Sequence, residues 1–482
     1  MAKPLSYKEI TKKLEELTNS DYNKIQQEFF KRGIKTPNKT LIETLKFPDL
    51  PENEIKKNIE QNLKTLINHL YKIEQDTDLY KSLSCIFGSF LGDSLGAFCE
   101  FNPRNKENYK KIEGKRNVFG SEKGMATDDS EMAMSLAYAI MDTPEKDNLN
   151  SDFISFYYGL WRKSEPDDIG IATEKALINF IPENYNLLEN GKIFFSDNIK
   201  ETINNLNKDS LANGFLMRKS VFFVWIYYKF KNEIEKAFEN KKNLEELYKL
   251  FQKIKNLSKY DDQCTHPNPE CSIATAYVAL IVIAAFSLQP KEIITFITDF
   301  AIYVKNKPDE DKDKEKEKEK EEEEEKKIEK DLAQFILDRL DQYSKSKNIN
   351  YYDFFSQENG VFDKMGYYRH SLRLILYYLY NFDTVKKNDI LLEIVKQICN
   401  LGGDTDTNAA IVGSVIGPLV GFKSFAKDIK IILEKGRKAY YPIFMVLYLE
   451  YLQKNIEPSK KNVLIMILTI IYGRVEEKLL PK

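Results

Sequence analysis

Three short stretches of this chain concentrate carboxylates, threonines and glycines: GSFLGDSLGAFCE at 88–100, GMATDDSEMAMSLA at 124–137 and LGGDTDTNAAIVGSVIGPLVG at 401–421. Their chemistry-bearing members are Glu100, then Thr127, Asp128 and Asp129, then Asp404, Asp406 and Thr407. Each stretch also has an ordinary explanation. Asp and Thr are favoured helix caps, and acids in a first turn gain about 0.3–1 kcal/mol from the helix dipole. Gly-Gly is a common turn, and Met132 and Met134 are core filler by default. Brought to one place, the same residues would do something else. Five carboxylates (Glu100, Asp128, Asp129, Asp404, Asp406) repel one another unless cations lie between them. Hard oxygen donors select Mg²⁺, Mn²⁺ or Ca²⁺ over zinc, and threonine hydroxyls can complete the shell. Two such ions orient and acidify a water, or polarise a leaving oxygen.

Convergence needs elements that position these residues, and glycine spacing supplies a candidate pair. Gly88, Gly92, Gly96 and Glu100 lie four residues apart, as do Ala409, Gly413, Gly417 and Gly421. That period places each set on one helix face. Each glycine costs a helix about 1 kcal/mol relative to alanine, so repeated glycines on one face point to a closely packed neighbour. The two small faces are natural partners for each other. Packed together, they would gather Glu100, Thr127–Asp129 and Asp404–Thr407 at one end of a bundle.

The rest of the chain supports helices. Apolar segments with helical spacing follow one another at 80–100, 130–141, 152–162, 171–180, 213–230, 271–287, 290–304, 331–343, 367–380, 389–400, 407–420 and 438–453. Period-two alternation is scarce, so the fold class is all-α. Residues 1–78 carry short amphipathic patterns broken by TPNKT and FPDLPEN, which predicts a helical extension. Residues 309–327 are all charged, 12 acidic against 7 basic, and predict a solvated surface insertion, either disordered or a lone charged helix. Overall net charge is −2, which gives no general attraction to nucleic acid or anionic membrane.

The three stretches together resemble the ADP-ribosylglycohydrolase family, whose pattern is G-D-x-L-G…E, T-D-D-[TS] and G-G-D-[TS]-D-[TS]-x-A-A. Here they stand, in the same order, as Gly92–Gly96 with Glu100, Thr127–Ser130 and Gly402–Ala410. Weaker family-like stretches lie between them: PDDIGIAT at 166–173, NGFLMR at 213–218, THPNPEC at 265–271 and MGYYRHSL at 365–372. The likeness covers roughly residues 80 to 440. It implies an all-α, orthogonally packed helical bundle with a binuclear Mg²⁺ or Mn²⁺ centre. It divides the chain into the extension 1–78, a catalytic domain 79–455 with the charged insertion at 305–330, and a helical tail 456–482. Metal ligands carry onto Thr127, Asp128, Asp129, Asp404, Asp406 and Thr407, with Glu100 at the metals or in acid–base work. Glu100, Asp129 and Asp404 are the implied catalytic carboxylates. Asp168, Gly170, Asn213, Gly214 and His266 would line the substrate cleft.

The activity implied is hydrolysis of the bond joining ADP-ribose to a protein side chain, at arginine or serine, or of a related ADP-ribose compound. Two other readings stand beside it: a non-catalytic ADP-ribose-binding or structural relative, and a metal-dependent hydrolase of another nucleotide-sugar. The second draws on Leu211 and Phe215, which flank Asn213–Gly214 where relatives carry smaller residues. Zinc is disfavoured, because Cys264, His266 and Cys271 lack a fourth nearby ligand. Five scattered cysteines do not form a disulfide framework, and the N-terminus lacks the apolar core of a secretory signal. No apolar run reaches the ~18 residues that span a bilayer. These features predict a soluble, cytoplasmic monomer.

Overall fold

The computed structural model describes residues 73–75, 77–143, 148–163, 166–178, 195, 197–239, 243–308, 316–346, 350–356, 364–385, 389–425, 427 and 448. The extension 1–72, the tail 456–482 and nearly all of the apolar segment 438–453 lie outside the described residues. The described elements are helices: α1 (Asp78–Gly96), α2 (Asp128–Asp142), α3 (Ser151–Lys163), α4 (Ile171–Leu177) and α5 (Asp197–Asn207). Then come α6 (Ser220–Lys229), α7 (Lys231–Glu239), α8 (Leu244–Asp262), α9 (Pro269–Ala285) and α10 (Pro290–Asn306). The series ends with α11 (Lys316–Lys345), α12 (Tyr351–Ser356), α13 (Tyr368–Tyr380), α14 (Ile390–Leu401) and α15 (Thr405–Val420). No strand occurs among the described residues, only the isolated bridges Arg116–Glu122 and Ala212–Tyr367. The fold class is all-α, as the periodicity predicts.

The broadest helix–helix interface is that between α1 and α15, and it is made by the two small faces. A Cβ on Gly88 would overlap the carbonyl oxygen of Gly413; on Gly92, that of Ala409; on Gly417, that of Ser84. Gly96 meets Thr405 and Asp406 in the same way, where an added Cβ would lie 2.5 Å from backbone. Only glycine allows this approach, because no other residue leaves the Cβ position empty. As numbers rise along α1 they fall along α15, so the helices are antiparallel. The end of α1 therefore lies against the start of α15. That register brings the first and third motifs together.

Around this pair, α9 is buried on every side, as befits a helix without a polar face. The near-continuous apolar run at 273–288 is core as far as Phe286, and no described helix is long and apolar enough to cross a membrane. The helices α5, α7 and α8 were not among the apolar segments; their single apolar residues sit among charges and bury only one stripe. All five cysteines are buried and free.

Of the charged run, residues 321–324 are exposed, as a solvated charged helix predicts, and its end is drawn toward the fold. Residues 316–327 form the first part of α11, and that helix is docked. Lys255 Nζ pairs with Glu325 at 2.9 Å and with buried Glu329 at 2.8 Å, and Lys259 pairs with Glu325 at 2.5 Å. Tyr248 and Gln252 also donate to Glu329, each at 2.8 Å. Compensated charge ties this acidic helix to α8, while its main packing is on α10.

Candidate metal centre and substrate cleft

Glu100 departs from its expected place at the end of a helical stripe. Helix α1 stops at Gly96, and Glu100 reaches the site from the turn that follows, ahead of Phe101 at φ +57°. The third motif enters through Gly402 and Gly403, at φ +74° and +80°, a region that favours glycine. Phe101 N donates to the Gly403 carbonyl at 2.9 Å, and Gly403 N to the Asn102 carbonyl at 3.0 Å. These reciprocal bonds lock the Glu100 turn onto the Asp404 turn.

Thr127 and Asp404 occupy the N-cap positions of α2 and α15, yet neither side chain accepts from a backbone N–H of its own helix. Asp93, from the middle of α1, performs that task for α2. Its carboxylate accepts from Thr127 N at 2.9 Å, Thr127 Oγ1 at 2.8 Å, Ser130 N at 3.0 Å and Ser130 Oγ at 2.5 Å. Asp93 was legible only as a carboxylate inside an apolar helix; its role as the orienter of the second motif comes from packing. Asp404 Oδ2 instead accepts from Asn213 Nδ2 at 2.9 Å, and Asp406 Oδ1 from Thr407 N at 2.8 Å. The Thr127 and Thr407 hydroxyls both approach Asp129 Oδ2, at 3.3 and 3.5 Å.

Two groups of carboxylate oxygens lie within 4.8 Å of one another: Asp93, Asp129 and Asp406, and Glu100, Asp168 and Asp406. Asp406 belongs to both. Glu100 shares a side-chain hydrogen bond with Asp406, and Asp168 shares one with Asp128. Within the described residues none of these acids pairs with a lysine or arginine. Burial, reinforced by mutual repulsion, pushes the Glu100 carboxyl up to about 9 and that of Asp168 to about 6. Burial likewise raises Asp93 to about 6, and Asp128, Asp129 and Asp406 well above the carboxylate range. Buried oxygens of Glu100 (Oε2), Asp129 (Oδ1), Asp404 (Oδ1) and Asp406 (Oδ2) have no hydrogen-bond partner. These orphaned, hard oxygen donors, whose mutual repulsion a cation would relieve, suit divalent ions that take oxygen ligands.

The remaining predicted residues form a wall beside this cluster. Asn213 N donates to the Gly366 carbonyl at 2.7 Å, and Tyr368 N to the Leu211 carbonyl at 3.1 Å, fixing the 211–214 loop. Gly214 abuts His266: an added Cβ would lie 3.0 Å from His266 Cε1. Asp168 belongs to the acidic group, whereas Gly170 is exposed at the rim, near Thr173. Phe215 is fully buried against the rings of His266 and Tyr368, and Leu211 packs on the core. The bulk that distinguished this loop thus faces inward. Besides Asp93, sequence reasoning left three contributors unassigned: Arg218, Thr265 and Gly366. All three lie inside the family-like stretches, so the stretches themselves were the available signal.

Residues 74–450 match the family described as ADP-ribosylglycohydrolase. The chain is 24% identical over 355 residues to a protein of Acanthamoeba polyphaga mimivirus named as an ADP-ribosyl glycohydrolase; the alignment covers 70% of this chain and 86% of that one. A solved structure titled "ADP-ribosylglycohydrolase-related protein complex" aligns at a TM-score of 0.44 and 17% identity, covering 79% of this chain and 99% of its own. With the family match extending over well more than half of its length, the chain belongs to the ADP-ribosylglycohydrolase family.

Proposed function

We propose that this chain is a binuclear Mg²⁺- or Mn²⁺-dependent hydrolase that releases ADP-ribose from modified arginine or serine side chains, or cleaves a related ADP-ribose compound. The observation that carries the reading is Asp406, shared by two adjoining carboxylate groups whose neighbours keep unpartnered oxygens. Family membership and the name of the mimiviral relative support the substrate class. Thr127, Asp128, Asp129, Asp404, Asp406, Thr407 and Glu100 would hold the ions. When bound, such ions supply Lewis acidity and a water acidified for attack.

The chain's own groups then have distinct tasks. Asn213 holds Asp404 by one oxygen and leaves the other free. Asp93 fixes the turn that carries Asp128 and Asp129. Burial and neighbouring acids push the Glu100 carboxyl up to about 9 in the chain alone, so cation binding would release its proton and leave a carboxylate at the ions for acid–base work. A negative field across the cleft favours the oxocarbenium-like centre that develops at an anomeric carbon.

The test is to incubate the full-length protein with arginine-linked and serine-linked ADP-ribosylated proteins, in Mg²⁺, Mn²⁺ or chelator, and to measure free ADP-ribose. Cation-dependent release from at least one is expected. Release from neither, with ADP-ribose still bound in calorimetry, would establish a binding protein instead.

A further inference from the structure

We infer that Arg218 and Thr265 are positioning residues that lock His266 in the Nε2–H tautomer, holding a neutral N–H donor beside Gly214 for an oxygen of the bound ADP-ribose. Only the identity of that ligand rests on the proposed function.

The argument is one of donors and acceptors. His266 Nδ1 lies 2.9 Å from Thr265 Oγ1, and Arg218 Nη2 lies 2.7 Å from the same oxygen. A guanidinium can only donate, so the Thr265 hydroxyl accepts from Arg218 and its own proton remains to be placed. His266 Nδ1 is the acceptor in reach among the described residues. The opposite arrangement would aim two donors at one hydroxyl and strand a fully buried O–H. The proton of a neutral ring therefore sits on Nε2, because the tautomer follows the bond made by the other nitrogen. Burial and the Arg218 charge depress the imidazole to about 3, which keeps it neutral.

Arg218 is itself immobile. Its Nε pairs with buried Asp261 at 3.1 Å, and Asp261 also accepts from Tyr158 at 2.6 Å and pairs with Lys219 at 2.5 Å. Its Nη1 donates to the Gly214 carbonyl at 2.9 Å. One guanidinium thus sets both the proton position of the ring and the placement of the loop against it. His266 Nε2 is buried and has no partner. It faces the spot where a Cβ on Gly214 would fall, 3.4 Å away, with Thr173 Oγ1 3.3 Å from the same spot. Glycine places no side chain of its own against that edge of the ring, which Thr173 borders from the other side. A polar atom so placed and so oriented lacks only the oxygen to receive its proton.

The test uses full-length protein labelled with ¹⁵N-histidine, free of metal and ligand; His266 is one of three histidines. Long-range ¹H–¹⁵N spectra are expected to show pyrrole-type Nε2 and pyridine-type Nδ1 for His266. Thr265→Ser should keep that pattern, and Thr265→Val should replace it with mixed tautomers. Adding ADP-ribose together with Mg²⁺ should shift the Nε2–H signal, and under those conditions Thr265→Val should bind it about tenfold more weakly, the worth of one hydrogen bond. A proton on Nδ1 in the unsubstituted protein overturns the inference without any variant. So does an unchanged tautomer in folded Thr265→Val. The stated tautomer without ADP-ribose binding would support the lock and overturn the functional reading.

Discussion

The side-chain amide of Asn213 donates to Asp404 Oδ2 at 2.9 Å across 191 residues of sequence, tying the substrate-side loop to the acidic centre. Because Asn213 N also bonds the Gly366 carbonyl, the amide cannot follow a displaced carboxylate. Asn213→Ala should lower activity about 10–100-fold, the usual effect of losing an outer-shell partner. Asn213→Asp should be worse, since it sets a carboxylate against a carboxylate. Equal kcat/KM for the two variants would remove this role.

Asp128→Ala and Asp404→Ala should each abolish hydrolysis, by at least about a hundredfold, while far-ultraviolet circular dichroism stays unchanged. Deleting either acid relieves repulsion in the metal-free chain, so the fold has no reason to suffer. Chelation should inactivate the protein, with rescue by Mg²⁺ or Mn²⁺. Full activity in either variant would sink the metal-site reading.

Stability of the metal-free protein should fall as pH rises. Asp93 and Asp168 are raised to about 6 and Glu100 to about 9, so the folded chain holds protons that the unfolded chain has released. Their contribution is complete below the ordinary carboxylate range and is lost as pH climbs through the raised values. His266, depressed to about 3, acts in the opposite sense only up to its ordinary value near 6.5. The window free of His266 is therefore about pH 7 to 9, where Glu100 is still to ionise and the raised Asp128, Asp129 and Asp406 act in the same sense. Melting temperature in chelator should drop across that window, and Glu100→Gln should flatten the drop. A level profile in the parent protein would contradict it.

Gly92→Ala tests the α1–α15 seam. In an exposed helix this change stabilises by about 1 kcal/mol. Here the new methyl would overlap the Ala409 carbonyl, and forced packing of that kind costs about 1–3 kcal/mol or more. Urea denaturation should show destabilisation; a gain would mean that the helices do not meet there.

Lys255 holds the acidic helix α11 onto α8, with its side chain 7% exposed and that of Glu329 2%. Lys255→Ala strands buried carboxylates and should cost about 3–5 kcal/mol. Lys255→Met with Glu329→Leu should recover much of that loss, as measured by the same denaturation. Identical stability of the single and double variants would argue against a buried pair.

Much of the centre could be read from residue types alone. Glu100, Thr127–Asp129 and Asp404–Thr407 stood out as clustered oxygen donors, and two glycine periods marked the helices that would carry them. Other parts could not be read this way. Asp93 looked like a lone acid in an apolar helix until α2 was seen to begin on it. Glu325 belonged to a run whose composition said solvent, and Lys255 on another helix draws it in, together with Glu329 just beyond the run. Helices α5, α7 and α8 were obscured by charge, because a stripe of single apolar residues gives no long apolar segment.

By itself the sequence determined what is local and periodic: the all-α class, the small-residue faces, the glycine turn at 402–403 and the identity of the acids. Side-chain volume, backbone freedom and ionisable groups are written residue by residue, so these features are legible without a fold. Tertiary structure decided which acids face each other, that Thr127 and Asp404 sit at N-caps without spending their side chains there, and which carboxylate oxygens go unpartnered. Desolvation and hydrogen-bond accounting depend on neighbours brought from distant parts of the chain. The antiparallel contact of α1 with α15 supplies some of them, and the docking of α2 on Asp93 and of Asn213 on Asp404 supplies others.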